Sequence, residues 1–173
     1  MVYDGKIVKV YRDNVELVDG HKSFREVVRH SGGVVIVAFR DENTILLVKQ
    51  YRYPIAKTVL ELPAGKLEKG EDPFEAAKRE LEEETGYCAN KWTDLGYINT
   101  SPGFSDETLH IYLATGLAQQ ETERDEDEFI ELFTLPLEEA YQQAMRGALP
   151  DAKTIAGLAM AHARWTAEHT KGE

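Results

Sequence analysis

Two apolar runs separated by a short polar turn stand out between residues 34 and 50 of the chain. The runs at residues 34–39 and 44–50 are rich in Val, Ile and Leu, and a polar turn at 40–43 separates them. Runs of this length and β-branched content are typical of buried strands. A further strand is predicted at 58–61, directly before Pro63. These segments predict the buried centre of a sheet.

The first 33 residues carry a different pattern, which is polar and alternating. Short strands are predicted at 6–11 and 15–18, and Asp19-Gly20 gives a hairpin turn signal before a returning strand at 21–29. A small unit with so few apolar residues has little core of its own. We therefore predict an N-terminal antiparallel strand unit over residues 1–33, which packs on the rest of the chain or on a second copy.

The rest of the chain, residues 34–173, alternates between strands and helices and forms the predicted main domain. Strands are predicted at 92–99, 108–115 and 128–135, and helices at 137–146 and 151–169. Because strands come before, between and after helices, a mixed central sheet with helices on both faces accommodates this order. The predicted fold class is α/β, in the broad sense that includes α+β.

One more helix, predicted over residues 73–85, has clear start and stop signals. Asp72 is a suitable N-cap, Pro73 suits the first turn, and Gly86 suits the left-handed position after the last turn. Its apolar residues form one narrow stripe, so we expect this face to pack on the core. The stripe consists of Phe74, Ala77, Leu81 and Thr85.

Three glutamates, Glu80, Glu83 and Glu84, lie on neighbouring turns along one flank of that stripe. Like charges at this spacing repel each other and weaken a helix. A hard divalent cation such as Mg²⁺ or Mn²⁺ prefers carboxylate oxygens and would turn the repulsion into a binding site. Arg79, four residues before Glu83, is placed to form an ion pair with it. The alternative interpretation is an ordinary solvated acidic helix.

The composition is acidic, with a net charge of −11 at pH 7, which argues against surfaces that bind nucleic acid or anionic membranes. The single cysteine, Cys88, allows no intramolecular disulfide and fits a reducing cytoplasm. No apolar run reaches membrane-spanning length, and the N-terminus lacks the features of a signal peptide. We therefore expect a cytoplasmic protein without nucleic-acid or membrane partners.

The acidic helix is part of a longer pattern of fixed residues. The pattern runs Gly65, Glu71, Arg79-Glu80-Leu81, Glu83-Glu84 and Gly86-Tyr87. These residues fill the fixed positions of the 23-residue Nudix box, so the chain resembles the Nudix hydrolases. The resemblance implies their α–β–α sandwich around a mixed sheet, and it favours the metal-binding interpretation of the glutamates.

Other stretches are similar to the ADP-ribose pyrophosphatases of that family, from about Phe24 to about Ala156. Pro102 lies 16 residues after Gly86, at a position that marks these enzymes. The resemblance implies hydrolysis of ADP-ribose, a nucleoside diphosphate sugar, to AMP and ribose 5-phosphate with Mg²⁺ or Mn²⁺. It also implies a homodimer, in which the N-terminal unit reaches into the partner subunit.

The resemblance assigns roles to single residues as well. Glu128 is the expected general base, with Glu126 as its neighbour or substitute, although the acidic stretch that contains them also reads as a solvated loop. Arg79 and Glu83 belong to the catalytic group. The expected metal ligands are the carbonyl of Ala64 and the carboxylates of Glu80, Glu83, Glu84 and Glu128. The expected substrate contacts are Arg52, Arg25, Glu61, Ser101, Pro102, Gly103 and Phe104.

Two other functions stay open on the sequence alone. One is hydrolysis of a related compound, such as a GDP-sugar or a dinucleoside polyphosphate. The loop at Pro102 argues against it. The other is a sensor that binds ADP-ribose without cleaving it, and the complete Nudix box argues against that alternative.

Overall fold

The computed structural model describes residues 1–120 and 131–169, which form ten strands, three α-helices and a 3₁₀ turn. The strands are β1 (Tyr3–Asp4), β2 (Lys9–Glu16), β3 (Lys22–Arg29), β4 (Gly33–Ala38), β5 (Thr44–Arg52), β6 (Lys57–Glu61), β7 (Ala64–Lys66), β8 (Tyr87–Asn99), β9 (Thr108–Gln119) and β10 (Glu131–Pro136). The helices are α1 (Pro73–Thr85), α2 (Leu137–Met145) and α3 (Ala152–His169), and the 3₁₀ turn is Tyr53–Ile55. None of the helices in these ranges is long and apolar enough to cross a membrane.

Two sheets form the centre of the main domain. In the first, with the order β7-β4-β9-β8, β4 runs parallel to β9 and the other pairs are antiparallel. The second is antiparallel, with the order β10-β5-β6. The mixed α/β class is confirmed, but the strands divide between two sheets. Phe39, directly after β4, forms an isolated antiparallel bridge with Ile45 of β5. Beyond this bridge the two strands pair with different neighbours, because the polar turn between them redirects the chain.

All six residues of β4 are buried, and they separate two apolar clusters. Val35 and Val37 face a cluster that includes Leu158 of α3. Val34 and Ile36, which alternate with them, face a cluster that includes Leu81 of α1. Because side chains alternate across a strand, β4 supports a helix layer on each side. This is the arrangement that the order of predicted elements implied.

The N-terminal unit is a separate three-stranded antiparallel sheet, with the order β1-β2-β3. The prediction of two short strands before the hairpin is wrong, because β2 runs unbroken through Arg12, Asp13 and Asn14. These polar residues suit a sheet that is solvated on one side. The unit contacts the main domain where the amide of Val28 donates to the carbonyl of Phe104 at 2.7 Å.

Helix α1 has the bounds that its end signals predict. The Asp72 carboxylate accepts hydrogen bonds from the amides of Phe74 at 2.9 Å and Glu75 at 3.3 Å. Gly86 adopts a φ of 72°, a left-handed conformation that glycine reaches without strain. Other elements are longer than predicted, notably β8 and β9. These strands pair along their whole length, with Tyr87 opposite Gln119 at one end and Asn99 opposite Thr108 at the other. The end of β5 likewise extends to Arg52.

Candidate active site

The short strand β7 brings the backbone that precedes the Nudix box against helix α1. Ala64 lies opposite Val35 in the sheet, and its amide donates to Oε2 of Glu84 at 2.9 Å. The Glu80 carboxylate rests on Gly65, since a Cβ built there would lie 1.7 Å from the carboxyl carbon. Glu84 is only 7% exposed. The two glutamates and the backbone of Ala64 are therefore brought together as predicted.

The Arg79 guanidinium holds three carboxylates of α1 and the preceding loop. Its Nε and Nη2 donate to the two oxygens of Glu71 at 2.9 and 3.0 Å. Its Nη1 donates to Glu80 at 2.9 Å and to Glu83 at 2.7 Å, which confirms the predicted ion pair. The hydrogen bond from Arg79, followed by that from the amide of Glu68, holds the pKa of Glu71 below its ordinary value. Glu71 and Arg79 are thus both charged near neutral pH.

Glu83 differs from the other two glutamates in its surroundings. Its side chain is 49% exposed and pairs with Arg79, whereas Glu80 and Glu84 line a cleft of about 570 Å³. Within the described ranges, no three acidic, histidine or cysteine side chains lie close enough together to hold a metal ion as they stand. The donors at this end of the cleft are hard oxygens, and the glycine leaves room for the Glu80 carboxylate. That chemistry fits a hard divalent cation.

The cleft also contains cationic side chains. Arg52 lines it, and its Nε donates to Oε1 of Glu61 at 2.7 Å. Glu61 is 1% exposed and also contacts the ammonium of Lys153. Burial alone would lower the pKa of Arg52, but the hydrogen bond and charge of Glu61 raise it above its ordinary value. Of these two predicted substrate contacts, Arg52 therefore lines the cleft, whereas Glu61 is buried and is not among the residues that line it.

Several cleft residues were missed by sequence reasoning. Lys153 and Asp151 stand at the start of α3, and neither was among the predicted site residues. His30 and Glu107 form a second group, in which Nδ1 of His30 lies 3.3 Å from Oε1 of Glu107 and Oε2 of Glu107 accepts a hydrogen bond from Thr100 at 2.5 Å. Their sequence neighbourhoods carry no local signal, because the fold brings His30 and Glu107 together from segments far apart in the chain.

The remaining predicted residues take other positions. Arg25 lies on β3, where its Nη1 donates to the carbonyl of Phe24 at 2.9 Å. The loop of residues 101–104 packs against the end of β3, and Phe104 is exposed. Among the described residues that line the cleft, neither Arg25 nor this loop is found. Glu126 and Glu128 lie outside the described residues, so their roles stay predictions.

Comparison with known proteins agrees with the site. The family model of the NUDIX domain matches residues 29–158. The match covers most of the chain, and the structure places Glu80 of α1 against Gly65 of β7. Together they define the class of protein. The chain belongs to the Nudix family of hydrolases. Members of this family use divalent metal ions.

Particular relatives cover nearly the whole chain. A methanol dehydrogenase activator of Bacillus methanolicus is 49% identical over 156 residues, which are 89% of this chain and 84% of that protein. An ADP-ribose pyrophosphatase of Bacillus subtilis is 47% identical over 155 residues, 88% of this chain and 84% of that protein. The crystal structure of an ADP compounds hydrolase has a TM-score of 0.80 at 25% identity, covering 97% of this chain and 91% of that one.

The contact between Gly65 and Glu80 can be tested by Gly65→Ala. The new methyl group would displace the Glu80 carboxylate, so we expect at least about tenfold weaker Mn²⁺ binding. We also expect a loss of about 1–3 kcal/mol in the free energy of unfolding. Mn²⁺ titration followed by electron paramagnetic resonance, together with urea unfolding, measures both effects.

The control repeats Gly65→Ala in a Glu80→Ala background. There the methyl group meets no carboxylate, so the loss of stability should shrink. Gly65 has no positive φ, and alanine itself is therefore tolerated by the backbone. An equal loss of stability in both backgrounds would show that the two side chains do not compete for this space.

Proposed function

We propose that the chain is a Mg²⁺-dependent pyrophosphohydrolase that cleaves ADP-ribose to AMP and ribose 5-phosphate. One observation carries the proposal: the partly buried Glu80 and the buried Glu84 line the same cleft as the cation of Arg52. Such a cleft offers a metal-binding side and a phosphate-binding side to one substrate. The Bacillus subtilis relative that is named as an ADP-ribose pyrophosphatase supports the choice of ADP-ribose.

The chemistry follows from the charge of the diphosphate, which repels an attacking hydroxide. Mg²⁺ held by Glu80, Glu84 and the carbonyl of Ala64 would neutralise that charge and acidify a bound water. Arg79 keeps Glu80 oriented through its hydrogen bond at 2.9 Å. Arg52 retains donors beyond the Nε that Glu61 engages, and a guanidinium fork suits phosphate oxygens.

A general base is needed to take the proton of the attacking water. We assign this role to Glu128, with Glu126 as its substitute, on the resemblance that the sequence shows.

Glu83 stays a further candidate metal ligand. Its half-exposed carboxylate can exchange Arg79 for a metal cation without a buried charge being left alone. The ribose would be held by residues 101–104, where the carbonyl of Ser101 accepts hydrogen bonds from the amides of Phe104 and Ser105.

We further propose that the protein acts in the cytoplasm as a homodimer, without nucleic-acid or membrane partners, and that residues 1–33 form the shared interface. Large apolar side chains are exposed on this unit, which is unusual for a surface that faces only water. They include Val2, Tyr3, Ile7 and Phe24.

The substrate is tested by product analysis. The protein is incubated with Mg²⁺ and, separately, ADP-ribose, GDP-mannose, diadenosine polyphosphates and NADH, and the products are separated by chromatography. We expect AMP and ribose 5-phosphate, with ADP-ribose the best substrate. Preference for another compound would keep the metal chemistry and refute the substrate. Tight ADP-ribose binding without any cleavage would indicate a sensor.

The metal-binding role of the helix is tested by Glu84→Gln. The amide keeps the shape of the side chain but removes its charge, so we expect a folded protein that binds Mg²⁺ poorly. Turnover should fall at least ten- to a hundredfold, about what is lost when groups that merely support a ligand are removed. Glu82→Gln on the same helix is the matched control. Full activity of the Glu84 variant would remove the helix from the metal site.

The dimer is tested by sedimentation equilibrium of the full chain. We expect a mass of twice the 19.5 kDa of one chain. Phe24→Glu places a charge among the exposed apolar side chains and should shift the protein toward monomer. An exposed control, Lys91→Glu on β8, should leave the mass unchanged. A wild-type chain that sediments as a monomer at micromolar concentration would contradict the interface.

A further inference from the structure

The carboxylate of Glu61 lies between two cations from distant parts of the chain. Nε of Arg52 donates to Oε1 at 2.7 Å, and the ammonium of Lys153 contacts Oε2. Lys153 also donates to Asp151 at 3.0 Å. A buried carboxylate between two cations is strongly held in place, although such an arrangement adds little net stability. Its effect is to fix where the two positive charges lie.

The fold places Lys153 with accuracy. The hydroxyl of Thr154 accepts a hydrogen bond from the amide of Leu62 at 2.9 Å, which ties the start of α3 to the end of β6. The carboxylate of Asp151 accepts hydrogen bonds from the amide of Thr154 at 3.0 Å and from its hydroxyl at 2.7 Å. Burial alone would raise the pKa of Asp151, but Lys153 and Thr154 together hold it below its ordinary value.

The two cations face the cleft, whereas the carboxylate that joins them does not. Arg52 and Lys153 both line the cleft that holds Glu80 and Glu84, and Glu61 is buried behind them. An ammonium has three N–H donors, and the contacts with Glu61 and Asp151 engage two of them. One donor of Lys153 is thus left for a group inside the cleft.

We propose that Lys153 is a substrate-binding residue, which together with Arg52 grips the phosphate groups of a nucleoside diphosphate. This inference rests on the proposed function and deepens it, because it assigns the second phosphate contact to α3. Arg52 offers a planar fork and Lys153 a point charge. Adjacent phosphates present oxygens in several directions, so the two kinds of donor complement each other. Glu61 acts as a positioning residue that holds both.

The inference can be tested without turnover. Inorganic pyrophosphate is titrated calorimetrically into the full chain, freed of metal by a chelator, at low ionic strength. We expect wild-type protein to bind, and Lys153→Gln to bind about tenfold to a hundredfold more weakly, as the loss of one charged hydrogen bond predicts. Lys153→Arg should keep most of the affinity. Lys91→Gln, on an exposed position of β8, is the matched control and should bind like wild type.

Two outcomes would overturn the inference: wild-type protein that does not bind pyrophosphate, or Lys153→Gln that binds it like wild type. If Lys153→Gln fails to fold, the double variant Glu61→Gln with Lys153→Gln replaces it, because this pair removes the charge of buried Glu61 together with that of its partner Lys153. The same weakening is expected of the double variant, and equal affinity would again refute the role of Lys153.

Kinetics separates this inference from the proposed function. With ADP-ribose, Lys153→Gln should raise KM by at least about tenfold, with a smaller change in kcat, because the lost contact is made to the bound substrate. A purely structural role would lower the amount of folded protein and leave KM unchanged. If wild-type protein cleaves no ADP-ribose but pyrophosphate binding still depends on Lys153, the proposed substrate fails and the phosphate contact stands.

Discussion

The structure of the site depends on one guanidinium shared among carboxylates. Arg79 binds Glu71 with two parallel hydrogen bonds and reaches Glu80 and Glu83 with a third nitrogen. Without it, acidic side chains on neighbouring turns would repel each other and favour solvent. With it, α1 keeps the Glu80 carboxylate against Gly65 of β7, and the loop before α1 stays attached through Glu71. Helix and loop therefore behave as one piece.

A second, separate constraint positions the two cations that line the cleft. Buried Glu61 fixes Arg52 from β5 and Lys153 from α3, so three elements meet at one carboxylate. The cleft thus carries carboxylates that a cation organises and cations that a carboxylate organises. This combination matches a substrate that carries negative charge and is bound together with a positive ion.

Local signals explain what could be predicted from the sequence. Helix α1 has its predicted bounds because Asp72, Pro73 and Gly86 act on their own backbone neighbours. Glu80 and Glu84, which the Nudix box puts on one flank of α1, line the same cleft because both depend on helical spacing. Glu83 shares that spacing but takes another environment, because Arg79 competes for it. Lys153 could not be found, because its partner Glu61 is 92 residues away in sequence. The length of β8 was missed because pairing with β9, and not its own composition, extends it.

The hydrogen bond between Leu62 and Thr154 has a consequence for how the protein is made. Its two residues are 92 positions apart, and the later one lies in α3. During translation, the carboxylates of the cleft can come together once β7 and α1 have left the ribosome, whereas the pair of cations must wait for α3. A nascent chain therefore carries its acidic half-site well before Lys153 is available, and the cleft is complete only after α3 has emerged.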